Sequence, residues 1–574
     1  MKKKGAQAFV EILKQEGVDI VFGYPGGMAV DLFDALYGQT DIEVILPRHE
    51  QGLIHAADGY ARSTGKVGVC LVSSGPGATN LVTGIATANY DSIPLVCITG
   101  QVSSDLIGND AFQEVDIVGI TRGICKYAVT VRDRKDLVRI IKEAFYIART
   151  GKPGPVLVDI PKDIQVAFAE DNFDKPVSIR GYKPNTSVHM GQIKKAMELL
   201  EKAKQPVFLA GGGVNIAKAN EVFTQLVNTV KIPVVTTIMG KGAIPTDNKY
   251  YVGNIGMHGS YGSNMAISEC DVLFSIGTRF NDRITGKISK FAPNATIIHI
   301  DIEAASISRN IKVDVPIVAD AKLAIEAMLE KATDCYNENW NERINHWKAE
   351  YKISPQNVEG LSPDKIIAQI SKQYREGIIV TDVGQHQMWT TQYLEMGEKT
   401  KLITSGGLGT MGYGLPAAIG AKLGNRDTPV VCISGDGGMQ MNIQEMATAV
   451  TCELPITFCI FNNTYLGMVR QVQHLFYDKR YASTCLCSRK SCEKNCLDKN
   501  KKCPPYSPDF VKLADSYNAK GIRVFNAEDI EKAFIEAKEN KDGPTIIEFM
   551  IEPSELVLPM VPNGNALNDM IMNC

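Results

Sequence analysis

Gly435-Asp436-Gly437 and, 24 intervening residues later, Asn462-Asn463 carry the residue types from which a cation-bridged diphosphate site is built. A carboxylate at Asp436, a side-chain amide at Asn463 and a backbone carbonyl at Tyr465 are hard oxygen donors. Mg²⁺ takes a few such protein oxygens and completes its octahedron with water and phosphate oxygens. The flanking glycines let the backbone approach a diphosphate closely, and a helix N-terminus there adds a favourable dipole. The apolar runs 429–433 and 455–461 read as buried strands, with a helix expected over 441–450 between them. Both polar clusters then fall at the carboxyl ends of neighbouring parallel strands, the edge where open α/β sheets bind ligands. An ordinary glycine-rich turn followed by an asparagine turn is the plain alternative.

Further strands follow the same pattern. Runs at 18–24, 43–46, 68–73, 95–99 and 156–159 are apolar almost throughout, as strands buried on both faces should be. Residues 170–188 are polar, aperiodic and contain two prolines, which marks a linker. A second α/β block, with strands at 206–210, 233–237, 272–276 and 297–300, ends near 331. A charged stretch of helical character over 332–361 precedes the third block, which opens on a helix and a strand at 377–382. The expected architecture is α/β, three doubly wound parallel-sheet domains at 1–168, 190–331 and 362–574.

Composition narrows the function. The 574 residues are 44% hydrophobic, with no apolar stretch near the roughly 18 residues of a membrane helix, so no membrane role is expected. Sixty-one Lys and Arg against 64 Asp and Glu, a net −3, give no electrostatic basis for nucleic-acid binding. The basic start Met1–Lys4 is followed by an amphipathic helix over 5–17, with no signal or transit pattern, so a cytoplasmic location is expected. Of 14 cysteines, Cys485, Cys487, Cys492, Cys496 and Cys503 cluster in a lysine-rich stretch at 485–505. Those thiols suit zinc or an iron–sulfur cluster, or are unligated or redox-active; their spacing matches no standard site.

Several stretches in order resemble the thiamine diphosphate (ThDP)-dependent 2-oxoacid enzymes, and more narrowly the catalytic large subunit of acetohydroxyacid (acetolactate) synthases. They include Tyr24-Pro25-Gly26-Gly27, Pro47-Arg48-His49-Glu50, Asp110–Glu114, Gly256–Gly259, Gly277–Gly286, Asp382–Trp389, Gly406–Gly414 and the GDG–Asn-Asn pair. The resemblance implies pyrimidine-binding, central FAD-binding and diphosphate-binding domains in that order, with the 485–505 insertion in a normally short lid. It places the ThDP aminopyrimidine against Glu50, whose carboxylate protonates the ring so that the imino form can deprotonate the thiazolium carbon. Gln385, His386, Gly409, Asp436, Gly437 and Asn463 match positions around the diphosphate, Met411 the wedge that bends the cofactor, and Asp436, Asn463 and Tyr465 the Mg²⁺ ligands. Lys152, Gly211, Gly212, His258, Arg279, Asp301 and Asp320 match FAD-contacting positions. Phe112, Gln113, Lys162, Met257 and Arg283 match substrate positions, with Arg283 suited to a 2-oxoacid carboxylate. For Glu50, His386 and Arg283 the plain alternatives are a surface carboxylate, a structural hydrogen-bonder and an ion pair with Asp282.

The implied reaction joins pyruvate, after decarboxylation, to a second 2-oxoacid, the shared step toward valine and isoleucine. Pyruvate oxidase and a flavin-free catabolic acetolactate synthase are the enzymatic rivals; a degenerate binding subunit is disfavoured by Glu50, Asp436 and Asn463. A homodimer or homotetramer and a small regulatory subunit are implied as partners. The chain departs from the family at Val472, where tryptophan is usual, at Ser103 and Met28 in the herbicide-binding channel, at Lys152 for arginine, and at Asn281 for aspartate. Weaker selection for 2-oxobutyrate and poor sulfonylurea inhibition are expected from these changes.

Overall fold

The computed structural model describes residues 2–355, 360–490, 492, 503 and 508–573. Each of three contiguous stretches folds into a six-stranded sheet, and every strand pair within these sheets is parallel. The first runs, in spatial order, Glu43–Ile45, Ile20–Tyr24, Gly68–Val72, Leu95–Gln101, Pro155–Pro161 and Tyr127–Thr130. The middle sheet is Tyr251–Asn254, Val234–Thr236, Pro206–Ala210, Val272–Ile276, Thr296–Asp301 and Val315–Val318. The third is Lys401–Thr404, Ile378–Thr381, Val430–Gly435, Ile456–Asn462, Thr545–Met550 and Lys520–Val524. Lys3–Lys4 pairs antiparallel with Phe168–Ala169, tying the start of the first unit to its end.

Central strands such as Leu95–Gln101 and Ile456–Asn462 are buried at every position, which is why they read as apolar runs. Five strands that the apolar pattern missed, at 127–130, 251–254, 315–318, 401–404 and 520–524, are sheet edges, paired on one side; all but Val315–Val318, which carries Pro316, include polar residues. Thr545–Met550 was missed although it is interior. Its apolar run is broken by Glu548, buried and held by Asn462 Nδ2 (2.7 Å) and Arg523 Nε (2.7 Å).

After several strands the structure has helices that start within one to four residues. Glu50 opens the helix Glu50–Thr64, capped by His49, whose ring nitrogen accepts from Gln51 N at 3.0 Å. Gln385 opens Gln385–Tyr393, and Gly212 opens Gly212–Ile216. The helix expected over 441–450 instead begins at Asp436 as Asp436–Met441, followed by a 3₁₀ turn and Met446–Thr451. These short connections carry backbone donors to the strand ends.

The first and third units share one core. Leu53, Ala57 and Tyr60 pack into the same cluster as Tyr413, Ala417 and Ile419. Helix Glu50–Thr64 crosses Gly414–Gly424 backbone against backbone: a Cβ on Gly59 would fall on the Ala417 carbonyl, and one on Gly420 on that of Ala56. Nearby, buried Arg62 donates from Nε to Asp58 (2.5 Å) and from Nη2 to Asp91 (2.9 Å), while Tyr413 Oη donates to Asp58 (2.5 Å). Asp91 in turn accepts from Gly407 N at 2.8 Å, so the first unit holds the turn that leads to Met411.

Candidate active site

The third sheet puts Asp382, Asp436 and Asn463 just past the carboxyl ends of three adjacent strands, with Gly435 in register with Phe461. A cleft over this edge is lined by Gly384, Gln385, His386, Met411, Gly435–Gly438, Asn463 and 465–469. Asp436 is 2% exposed, and burial pushes its carboxyl up to about 7 against opposing N–H groups of Asp436 itself, Gly437 and Thr464. Acidic Glu548 pushes it up further. Asn463 Oδ1 accepts from Tyr465 N (3.0 Å), and its Nδ2 donates to Gln385 Oε1 (3.2 Å). His386 Nε2 is buried with no partner, and burial lowers His386 to about 3, keeping it neutral.

These features fit a cation-bridged diphosphate. A deeply buried carboxylate suits a divalent ion. A buried imidazole nitrogen without a partner suits a ligand hydrogen bond. Gly437 is confined, since its Cβ would lie 2.7 Å from Leu466 Cδ2, and Gly409 takes a left-handed φ of 73° in open space. Asp382, to which sequence reasoning assigned no role, holds the floor: it accepts from Val383 N (2.7 Å), Gly412 N (3.0 Å) and Gly414 N (2.9 Å). The signal for it was a lone carboxylate directly after a buried strand, easily read as a turn residue.

Glu50 is elsewhere. Its Oε2 accepts from Asn80 Nδ2 at 2.9 Å, its other oxygen faces Gly77, and it is not part of the cleft wall. Of the other first-unit candidates, Phe112 is 83% exposed and Gln113 has a left-handed φ of 60°. Lys162 pairs with Asp31 and donates to Gly27 O at 3.2 Å, on the loop that carries Met28. Arg283 makes the plain ion pair with Asp282 (3.7 Å), both exposed, but its Nη1 also contacts Met257 Sδ at 3.3 Å. Met257 and Val472 both pack on Leu556, Leu558 and Met560, so these two candidates come together.

Lys152 of the first unit converges with Arg279 and Asp301 of the middle unit. Burial lowers the Lys152 ammonium, reinforced by Arg279 and opposed by Asp301; burial raises the Asp301 carboxyl to about 6. Thr278 Oγ1 beside them is buried and unpartnered. Gly211 and Gly213 are required by packing, because a Cβ on Gly211 would strike Gly277 O and one on Gly213 would lie 2.6 Å from Gly277 Cα. Gly212 would meet Met239 Cβ at 3.1 Å. Asp320 is engaged as a helix cap, accepting from Lys322 N (2.9 Å) and Leu323 N (3.2 Å). His258 lies against Val557 and Pro559, lowered to about 4 by burial, with Nδ1 unpartnered.

Of the cysteine cluster, Cys496 lies outside the described residues. Among the described residues no group of His, Cys, Asp or Glu is placed to hold a metal ion, and no cysteine is in a disulfide. No helix among them is long and apolar enough to cross a membrane.

Three family models account for this arrangement. Those described as "Thiamine pyrophosphate enzyme", N-terminal TPP binding domain, central domain and C-terminal TPP binding domain, match residues 3–120, 193–328 and 382–549. The chain therefore belongs to the thiamine pyrophosphate enzymes, and the Asp436 cleft falls in the C-terminal TPP binding domain. It is 44% identical to "Acetolactate synthase large subunit" of Cyanidium caldarium, covering 99% of this chain and 97% of the relative. It is 45% identical to "Probable acetolactate synthase large subunit" of Methanococcus aeolicus (99% and 95%), and 43% to "Acetolactate synthase large subunit" of Haemophilus influenzae (100% and 99%). Within the thiamine pyrophosphate enzymes, its family is that of the acetolactate synthase large subunits.

Proposed function

We propose that the chain is an acetolactate synthase that decarboxylates pyruvate and joins the remaining two-carbon unit to the keto carbon of a second 2-oxoacid. The products are 2-acetolactate or, from 2-oxobutyrate, 2-aceto-2-hydroxybutyrate, in branched-chain amino-acid biosynthesis. The observation that carries this reading is the deeply buried Asp436, beside Asn463 and the unpartnered Nε2 of His386, in a chain alike over its whole length to synthases of that name. Bound thiamine diphosphate supplies a nucleophilic carbon and an electron sink for decarboxylation.

The chain's own residues bind, orient and move protons. Asp436, Asn463 and the Tyr465 carbonyl hold Mg²⁺ against the diphosphate. Gln385, His386, Gly409 and Gly437 would hold the diphosphate, and Met411 would pack against the cofactor. Glu50 would face the aminopyrimidine ring and hold the proton its chemistry requires. Because Glu50 faces Asn80 rather than the cleft of its own chain, it acts in the cleft of a second copy, with Phe112, Gln113 and Lys162, and the working unit is at least a homodimer. Arg283 and Met257 receive the second 2-oxoacid, Arg283 through its carboxylate. The Lys152–Arg279–Asp301 group, with its orphaned Thr278 hydroxyl, suits the phosphate and hydroxyl groups of FAD, joined by Gly211, Gly212, His258 and Asp320. A small regulatory subunit and a cytoplasmic location complete the proposal.

The test is pyruvate turnover by the purified protein with ThDP, Mg²⁺ and FAD, following acetolactate and oxygen together. Acetolactate without stoichiometric oxygen uptake supports the synthase. Acetate or acetyl phosphate with matching oxygen consumption would move the chain to the oxidases, and an unchanged rate in flavin-depleted enzyme would remove FAD from the proposal.

A further inference from the structure

The cysteine-bearing turn at 484–487 is built onto the loop that carries Asn463 and Tyr465. Cys485 forms an antiparallel bridge with Tyr465, flanked by two backbone bonds: Leu466 N donates to Thr484 O and Leu486 N to Thr464 O, each at 2.9 Å. Thr464, between them, is left-handed with a φ of 63°. Leu486 Cδ1 comes within 3.5 Å of where a Cβ on Gly437 would stand, so the turn also covers the GDG segment. On this turn the sulfurs of Cys485 and Cys487 are 3.4 Å apart, with Cys487 2% exposed and Cys485 half-buried.

We propose that Cys485 and Cys487 are a thiol–disulfide switch on the Asn463–Tyr465 loop, closed by a low-molecular-weight disulfide of the oxidised-glutathione type. The more accessible Cys485 loses its proton and attacks one sulfur of the small disulfide, breaking that S–S bond and releasing one small thiolate. Cys487 then loses its proton and attacks Cys485 Sγ, releasing the second. The two small thiolates take up two protons, so one small disulfide is reduced to two thiols while two protein thiols become one disulfide. A reducing compartment keeps the pair open, and such cytosolic disulfides form transiently.

Closure draws the sulfurs from 3.4 Å to about 2.05 Å. Cys485 is bridged to Tyr465, and closing a ring across Leu486 restricts the 485–487 backbone, which is bonded on both sides to 464–466. The oxidised form thus holds the cation and diphosphate more weakly. This consequence rests on the proposed role of Asn463 and Tyr465, whereas the thiol chemistry does not.

The reduced full-length protein, desalted and equilibrated with oxidised glutathione, tests both parts. Peptide mapping should show Cys485–Cys487 short of two hydrogens, and the Kd for ThDP in Mg²⁺ by calorimetry should rise about tenfold or more and recover on reduction. Cys485→Ser should keep the reduced-state Kd under oxidant, and Cys487→Ser should stop at a mixed disulfide on Cys485. The switch is overturned if both thiols survive while other cysteines react, if a co-purified zinc ion on them blocks exchange, or if the disulfide forms with Kd unchanged. Failure of the reduced protein to bind ThDP would instead sink the cofactor reading, and with it the target of the switch.

Discussion

A chain carrying Glu50→Gln, co-expressed with one carrying Asp436→Asn, separates a site shared between two copies from one contained in a single chain. Each variant alone should lose its activity: removing a positioned proton donor costs about a hundred- to ten-thousandfold, and removing the buried carboxylate takes away the cation's charged ligand. The cleft containing Asp436 is walled by third-unit residues, while Glu50 is bound to Asn80 on the first unit. In a mixed dimer with shared sites, one site therefore collects both substitutions and the other collects neither. Mixed dimers isolated through two different affinity tags should show about half the wild-type rate per dimer, and random one-to-one association about one quarter. The readout is acetolactate formation together with active-site titration by ThDP. A mixed dimer no more active than its parents would refute the shared site and require Glu50 to reach the cleft of its own chain by a rearrangement.

Other outcomes follow from the same geometry. Gly420→Ala forces a methyl group onto the Ala56 carbonyl and should lower stability by about 2–3 kcal/mol or more in denaturant melts, because backbone on both sides prevents relief. Val472→Trp enlarges the cluster with Met257, Leu558 and Met560 and should shift direct competition toward 2-oxobutyrate by up to about 1–3 kcal/mol; an unchanged product ratio counts against Val472 as an acceptor determinant. Asp159 is buried and raised to about 6 by desolvation, against hydrogen bonds from Thr99, Gln101 and Thr130. Its folded-state pKa lies above the unfolded one, so its contribution is complete below about pH 4 and lost as pH rises through 6, about 3 kcal/mol in all. Asp159→Asn should flatten that part of the stability–pH profile, measured by urea titration at several pH values.

The placement of the candidate site residues was legible in the sequence wherever short-range pattern carries it. Asp436 and Asn463 each follow a run of residues buried on both faces of a parallel sheet, so their place at neighbouring strand ends could be read from apolar continuity alone. The FAD candidates split: Lys152 of the first unit does converge with Arg279 and Asp301 of the middle unit, but Gly211 and Gly213 answer first to packing against Gly277. Most edge strands stayed hidden because one-sided pairing tolerates polar residues (Val315–Val318 carries a proline instead), and Thr545–Met550 because a buried Glu548 interrupts its run. By itself the sequence determined the three-sheet plan and the residue types of the cofactor edge, since both depend on neighbours within a few tens of residues. Only the tertiary structure decided that Glu50 turns away from the Asp436 cleft, that Asp382 and Asp91 hold the turns around Met411, and that Cys485 and Cys487 sit against Tyr465. Those relations join residues tens to hundreds of positions apart. They are set by the backbone-close crossing of two helices and by how strand ends meet, which no local periodicity encodes.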